Sequence, residues 1–321
     1  MSCFFDNDDS FSISFIVVIS SISVSIRSIQ SVATVAGGHG YGIATNQLKN
    51  PYGLFVDDNQ TIAIADYDNH RIVQWKIGDI NGQVVAGGNG EGNRLNQLNR
   101  PTDVLIDRET DSFIICDRDN RRVVRWSRRS GTIEGAILVD NIKCFGLAMH
   151  GQRHLYISDT RKHNVRRYQI ENKNGAIVAG GNGKGANLNQ FNFPTYIFVD
   201  QQQAVYVSDY YNHRVMKWNK DAQQGIIVAR DQDEGNSATQ LWYPEGLFVD
   251  MLGTIYVVDS VKHRVMRWSN GTQQSSVIFG GNGRGEGVNQ LNAPIGLASD
   301  RHDKLYVTDA GNHRVQRFSI E

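Results

Sequence analysis

Two acids stand where a metal ion or a reacting group could use them. Asp103 and Glu245 fall in Pro101-Thr102-Asp103 and Pro244-Glu245-Gly246. Both segments belong to a recurring block, Pro51-Tyr52-Gly53-Leu54-Phe55-Val56-Asp57. Its counterparts start at Pro101, Cys144, Pro194, Pro244 and Pro294. Carboxylates facing one opening can hold a hard cation such as calcium, with water completing the shell. Tyr52 and Tyr196 occupy the same pair of positions and would flank that opening. A hydrolytic site needs several convergent ligands, and no histidine occupies these positions. Two solvated acids at a pore rim are the plainer reading. The block ends on a second ring of acids, Asp57, Asp107, Asp200, Asp250 and Asp300, with His150 in the sixth place. Aspartates there are expected to open turns rather than bind a cation.

A second block places a carboxylate, an imidazole and a guanidinium within six residues: Asp66-Tyr67-Asp68-Asn69-His70-Arg71, running on to Trp75. It recurs with starts at Asp117, Asp159, Asp209, Asp259 and Asp309, separated by 51, 42, 50, 50 and 50 residues. Chemistry rarely needs six copies of one group, whereas a scaffold does. The Asp is expected to accept turn N–H groups and to pair with the Arg across a hairpin. A third block, Gly87-Gly88-Asn89-Gly90 and its cousins, superficially matches phosphate-binding loops, but no helix follows it. Its glycines more plausibly supply positive φ in turns.

The third chemical feature is charge. Lys+Arg and Asp+Glu are both 33, so the net charge is zero, which excludes a uniformly basic nucleic-acid binder and an acidic tail. Between Arg118 and Arg167, however, twelve basic residues face four acidic ones. Arg118, Arg121, Arg122, Lys143, Arg161 and Lys162 form a basic sector suited to an acidic protein segment or, less well, to RNA. The sector lacks interleaved aromatics for base stacking.

The elements that position these groups follow from the 50-residue period. Each repeat reads as four short strands, such as GLFVD, TIAIAD, RIVQW and QVVAGG, bounded by Gly, Asn, Asp and Pro. Six antiparallel four-stranded units make an all-β, six-bladed β-propeller. All five prolines open an innermost strand, where no ladder donor is needed. The sixth repeat stops after three strands, and Ser31–Gly37 resembles an orphan fourth. It is expected to close the last blade and remove an unpaired edge. The hairpin turns and Gly-rich loops then share one face, the top.

These blocks resemble the NHL repeat family, through Asn69-His70-Arg71, Asn212-His213-Arg214 and Asn312-His313-Arg314. The other copies depart, as Asn120-Arg121-Arg122, Lys162-His163-Asn164 and Lys262-His263-Arg264. The resemblance covers roughly residues 30–319. It implies a propeller scaffold, similar to that of tripartite-motif proteins, some of which bind RNA on a basic top face or recruit substrates for ubiquitin ligation. RING and B-box cysteines are absent, so a ligase role would need another chain. NHL propellers are also similar to metal-dependent lactonases and lyases, the enzymatic alternative centred on Asp103 and Glu245.

Cys3, Cys116 and Cys144 form no C-x-x-C pair, which excludes a zinc ribbon or thioredoxin motif. Cys116 ends one strand and Cys144 starts another near the top, so two buried thiols are expected there, with a disulfide between them as the alternative. Residues 1–29 form an extension containing FSISFIVVISSISVSI, too serine-rich for a stable membrane span and preceded by acids rather than the basic start of a signal peptide. A divergent signal or anchor is the alternative, and the compartment stays open between cytoplasmic and secreted. The expectation is a monomeric, non-enzymatic propeller over 30–321, without a cofactor, holding a protein or peptide on its top face.

Overall fold

A computed structural model of the chain describes residues 29–151, 153–170, 174–230, 240–269 and 275–320. The extension before residue 29 and the segments 231–239 and 270–274 lie outside these. The described residues form six four-stranded antiparallel sheets. The inner strands are Pro51–Val56, Pro101–Asp107, Cys144–His150, Pro194–Val199, Pro244–Val249 and Pro294–Ser299. Each touches its two neighbours, so they surround a central channel. Ile29–Gly37 pairs antiparallel with Arg314–Ile320 and completes the sixth blade, as expected.

Alternation along each strand fills the space between blades. Ala63, Ala65, Ile72 and Leu98 of the first blade share one buried cluster with Val104, Ile106, Phe113 and Trp126 of the second. Trp75, Trp126, Trp218 and Trp268 are all buried. Each such side chain contributes about 1.5–3 kcal/mol when covered.

The repeated polar block is structural. Asp209 Oδ2 accepts from Arg214 Nε at 2.7 Å and from Asn212 Nδ2 at 2.8 Å, while Oδ1 accepts the Asn192 N–H at 2.7 Å. Arg214 donates onward to the carbonyls of Ala186, Asn187 and Gln190 in the Gly-rich loop. One buried ion pair thus ties a hairpin turn to the loop leading into its blade. Arg71–Asp66, Arg122–Asp117, Arg264–Asp259 and Arg314–Asp309 repeat it. The histidines act between blades. His213 holds left-handed backbone, φ 53°, and its Nδ1 accepts the N–H of Tyr243 in the next blade at 3.2 Å. His70, His163, His263 and His313 do the same for Arg100, Phe193, Ala293 and Asn50. Burial holds His213 and His313 below the usual imidazole range, consistent with an accepting, neutral Nδ1. The Gly-rich loops do take positive φ, as at Gly87, Gly88 and Gly90.

One expectation is overturned. Cys116 and Cys144 are a disulfide joining the second and third blades, with Cα atoms 5.8 Å apart. Sequence separation could not show that a strand end and the next strand start meet at this distance.

Candidate functional site

The top of the channel is built from the residues just inside each proline. Ladder register breaks there in every blade, for example between Pro51 and Leu54, Pro194 and Ile197, and Pro244 and Leu247. A bulge leaves residues unpaired and re-aims their side chains. Those side chains meet at the axis, where Phe145, Tyr196, Ile295 and Ala310 form a buried cluster with Tyr52 and Phe193 against it. The rim is also bonded across blades. Thr102 Oγ1 donates to the Phe145 carbonyl at 2.8 Å, the Tyr196 hydroxyl to the Thr102 carbonyl at 3.1 Å, and Ser208 Oγ to the Glu245 carbonyl at 2.6 Å. The opening expected between Asp103, Glu245, Tyr52 and Tyr196 is therefore plugged.

The two acids are not solvated rim groups: both are buried. Asp103 is buried beneath the plug, where it lines the channel cavity; Glu245 does not line it. Asp103 Oδ1 accepts the Val104 N–H at 3.0 Å and Oδ2 accepts the Leu147 N–H at 2.8 Å. Burial outweighs these bonds and pushes its carboxyl up to about 8. Glu245 is buried within the plug, and burial raises it to about 8 against the pull of Thr195 and Arg118. Its Oε2 has no hydrogen-bond partner among the described residues. No three His, Cys, Asp or Glu side chains come together among those residues. This donor set does not fit calcium, which takes six or more oxygens, or a catalytic divalent ion. The lower acids cap turns: Asp57 Oδ1 accepts the N–H groups of Asn59 and Thr61, and Asp200 those of Gln202 and Ala204.

The basic sector divides. Arg122 is 5% exposed, bound to Asp117 and to three loop carbonyls, so it belongs to the scaffold and is corrected out of the binding face. Its place in the repeated Arg position carried that signal. Arg118 turns to the plug, 5.8 Å over the Phe145 ring, and donates to the Tyr67 hydroxyl at 3.3 Å and to Asp119 at 3.1 Å. Arg121 bonds Asn141 Oδ1 and is exposed, as are Arg161 and Lys162; Lys143 is half-buried.

Sequence reasoning named Tyr52 and missed the rings around it. Tyr67 stacks on Tyr52 with centroids 4.0 Å apart, and Tyr52 reaches Phe145 at 6.0 Å. Phe145 meets Phe193 at 6.0 Å, and Phe193 meets Tyr211 at 5.4 Å and Tyr210 at 5.9 Å. Tyr210 meets Tyr243 at 4.8 Å, which adjoins Trp242 at 6.2 Å. A chain of ring contacts thus crosses the top of the molecule from the first blade to the fifth, buried at Phe145 and open to solvent at Tyr211, 49% exposed, and Trp242, 36% exposed. The rings come from the variable positions of the turn block, from the residues before prolines and, for Tyr52 and Phe145, from the residue after the proline position. Trp242, the one tryptophan outside the repeated tryptophan position, was the available signal. The absence of aromatics inferred for the basic sector is corrected: Phe145, Tyr67 and Tyr52 are supplied to it by folding.

Comparison with known proteins agrees with the fold. The NHL repeat model matches residues 291–318, within the sixth blade, which supports an NHL-type propeller. No curated protein matches the sequence. Among solved structures, a Bacteroides thetaiotaomicron protein of unknown function is 16% identical, TM-score 0.69, over 90% of this chain and 76% of that one. An auxiliary nutrient binding protein of the same organism gives 15%, 0.69, 90% and 76%. A gluconolactonase from Xanthomonas campestris gives 13%, 0.61, 86% and 87%. At these identities the likeness is one of fold alone. No helix among the described residues is long and apolar enough to cross a membrane.

Proposed function

We propose that the chain is a non-enzymatic binding propeller whose top face holds a protein or peptide segment. The chain of rings from Tyr67 to Trp242 carries this reading. Rings pre-set by mutual contact offer large apolar area at low entropic cost. Arg118 and Arg100 lie over two of the rings, and exposed Arg121, Arg161 and Lys162 give the flank a positive field for acidic residues of the partner. The plugged channel top and the lack of a third acid, histidine or cysteine beside Asp103 and Glu245 among the described residues argue against hydrolysis at the mouth. Rings beside arginines would also suit stacked bases, so RNA is the second reading.

Peptide-library display on the purified protein tests the proposal. Enriched peptides should carry apolar and acidic residues, and the double variant Tyr211→Ala/Tyr243→Ala should weaken them at least about tenfold. No enrichment, or enrichment indifferent to the double variant, refutes it. Tighter binding of single-stranded RNA, with a steep salt dependence lost in Arg121→Glu, moves the partner to nucleic acid.

A further inference from the structure

Beneath the plug lies a cavity of about 280 Å³. Its walls are apolar residues of the inner strands, among them Phe55, Leu105, Ala148, Phe198, Phe248 and Ala298. It reaches down to Val56, Met149 and Ser299 at the lower strand ends. Its upper end is closed by Tyr196 and Asp103, under the Phe145 and Ile295 cluster. It is therefore a blind pocket that opens toward the bottom face, away from the aromatic surface. No Lys, Arg or His lines it.

The acid at its closed end is a built feature. Gly53 makes room for it, since a Cβ there would lie 2.2 Å from Asp103 Oδ1. The Val104 and Leu147 N–H groups orient the carboxyl. Tyr196 is the titratable side chain that faces it, and no charged group contributes to its own shift. A lone acid in an apolar pocket lacks a counter-ion, and a buried carboxylate ionises only when paired.

We propose that the channel is a binding pocket for a small aliphatic or arylalkyl amine, entered from the bottom, whose ammonium pairs with Asp103 while its hydrocarbon fills the channel. A dry apolar cavity of about 150 Å³ accommodates benzene, so this volume suits roughly ten non-hydrogen atoms. The inference is independent of the top-face reading. Binding of the cation requires the Asp103 proton to leave. Amine affinity should then rise about tenfold per pH unit up to about 8 and level off above it.

Calorimetric titration of the full chain with n-hexylamine, 1-hexanol and hexanoate at pH 7 and pH 9 tests this. Expected are amine binding preferred at least about tenfold over hexanoate at pH 9, and release of close to one proton per amine at pH 7. Asp103→Asn should weaken hexylamine at least about tenfold and leave hexanol within about twofold. Ala298→Phe, which fills the channel and leaves the acid intact, should abolish both. No amine binding by the wild type at millimolar concentration, equal binding by Asp103→Asn, or binding that survives Ala298→Phe overturns the proposal. Should either variant fail to fold, the wild-type ligand preference and proton release decide it.

Discussion

Glu245 is where the structure makes its most quantitative commitment. It is buried among Tyr52, Tyr196 and Tyr210, and burial lifts its carboxyl from 4.5 to about 8. The folded group holds its proton more tightly than the unfolded one. As pH rises, the unfolded chain therefore loses that proton first. The stability associated with the neutral carboxyl is complete below the unfolded value and is lost progressively as pH climbs toward about 8. Glu245→Gln keeps the shape and cannot ionise. Linkage gives it an advantage of about 3 kcal/mol at pH 7 and less than about 1 kcal/mol at pH 5. For a ring of this size about 2 °C accompanies each kcal/mol, so the variant should melt roughly 6 °C above the wild type at pH 7 and roughly 2 °C or less above it at pH 5. Thermal unfolding by circular dichroism at the two pH values measures both. A difference independent of pH, or a variant that melts lower at pH 7, refutes the reasoning. It would mean that Arg118 outweighs burial and keeps Glu245 ionised in the fold.

Two further predictions concern the scaffold. Asp209→Ala removes the acceptor of three hydrogen bonds and leaves the buried Arg214 unpaired; the loss should be about 3–5 kcal/mol, against less than about 0.5 kcal/mol for Asp58→Ala at the exposed Arg108–Asp58 pair. Equal melting shifts for the two variants would remove the hubs from the list of what holds the ring. The Cys116–Cys144 bridge spans 28 residues, so Cys144→Ser should lower stability by about 3–4 kcal/mol; reductant should bring the wild type to the variant's melting temperature, and a fully reduced wild type that melts unchanged would sink the idea.

The blade count, the strand boundaries, the closing strand and the hairpin Asp–Arg pair were legible because each repeats. Six noisy copies of one pattern average out local ambiguity, and Pro51, Asp66, Arg71 and Trp75 each mark a strand end. The candidate site was far less legible. The bulge after each proline decides whether Asp103 faces solvent, a plug or the channel, and no composition rule registers a bulge. Asp103 and Glu245 are offset by one residue relative to their prolines, and along a pleated chain one residue changes the side to which a group points. The aromatic surface was hidden for a different reason. Tyr52, Phe145, Phe193, Tyr211 and Trp242 are far apart in sequence and sit at positions where the repeat tolerates any residue. Only the closed ring links them, Trp242 through Tyr243, by successive ring contacts of 5.4–6.2 Å.

The junction between the second and third blades shows how several separate departures from the repeat form one event. The turn spacing shrinks to 42 residues there, and the Gly-rich loop is missing. The guanidinium that elsewhere grips that loop is missing with it, since Asn164 stands where the other copies have Arg. An arginine at 164 would have had Asp159 to pair with but no loop carbonyls for its remaining N–H groups, and buried donors left without acceptors are destabilising. The histidine clip is lost as well: Arg121 stands in its place and reaches Asn141 instead. At this junction the Cys116–Cys144 bridge joins the contacts that inner strands and core already make, placed where Cys144 replaces the proline of the other five copies. A covalent link substitutes for a hydrogen-bonded one. With the loop gone, Arg118 lies over Phe145 and Arg161 and Lys162 stay exposed on the same flank. Loss of the loop, loss of its arginine, gain of the bridge and exposure of the basic flank are therefore one coupled change. The same coupling explains why the proposed binding surface turns basic at the one junction where the repeat is broken.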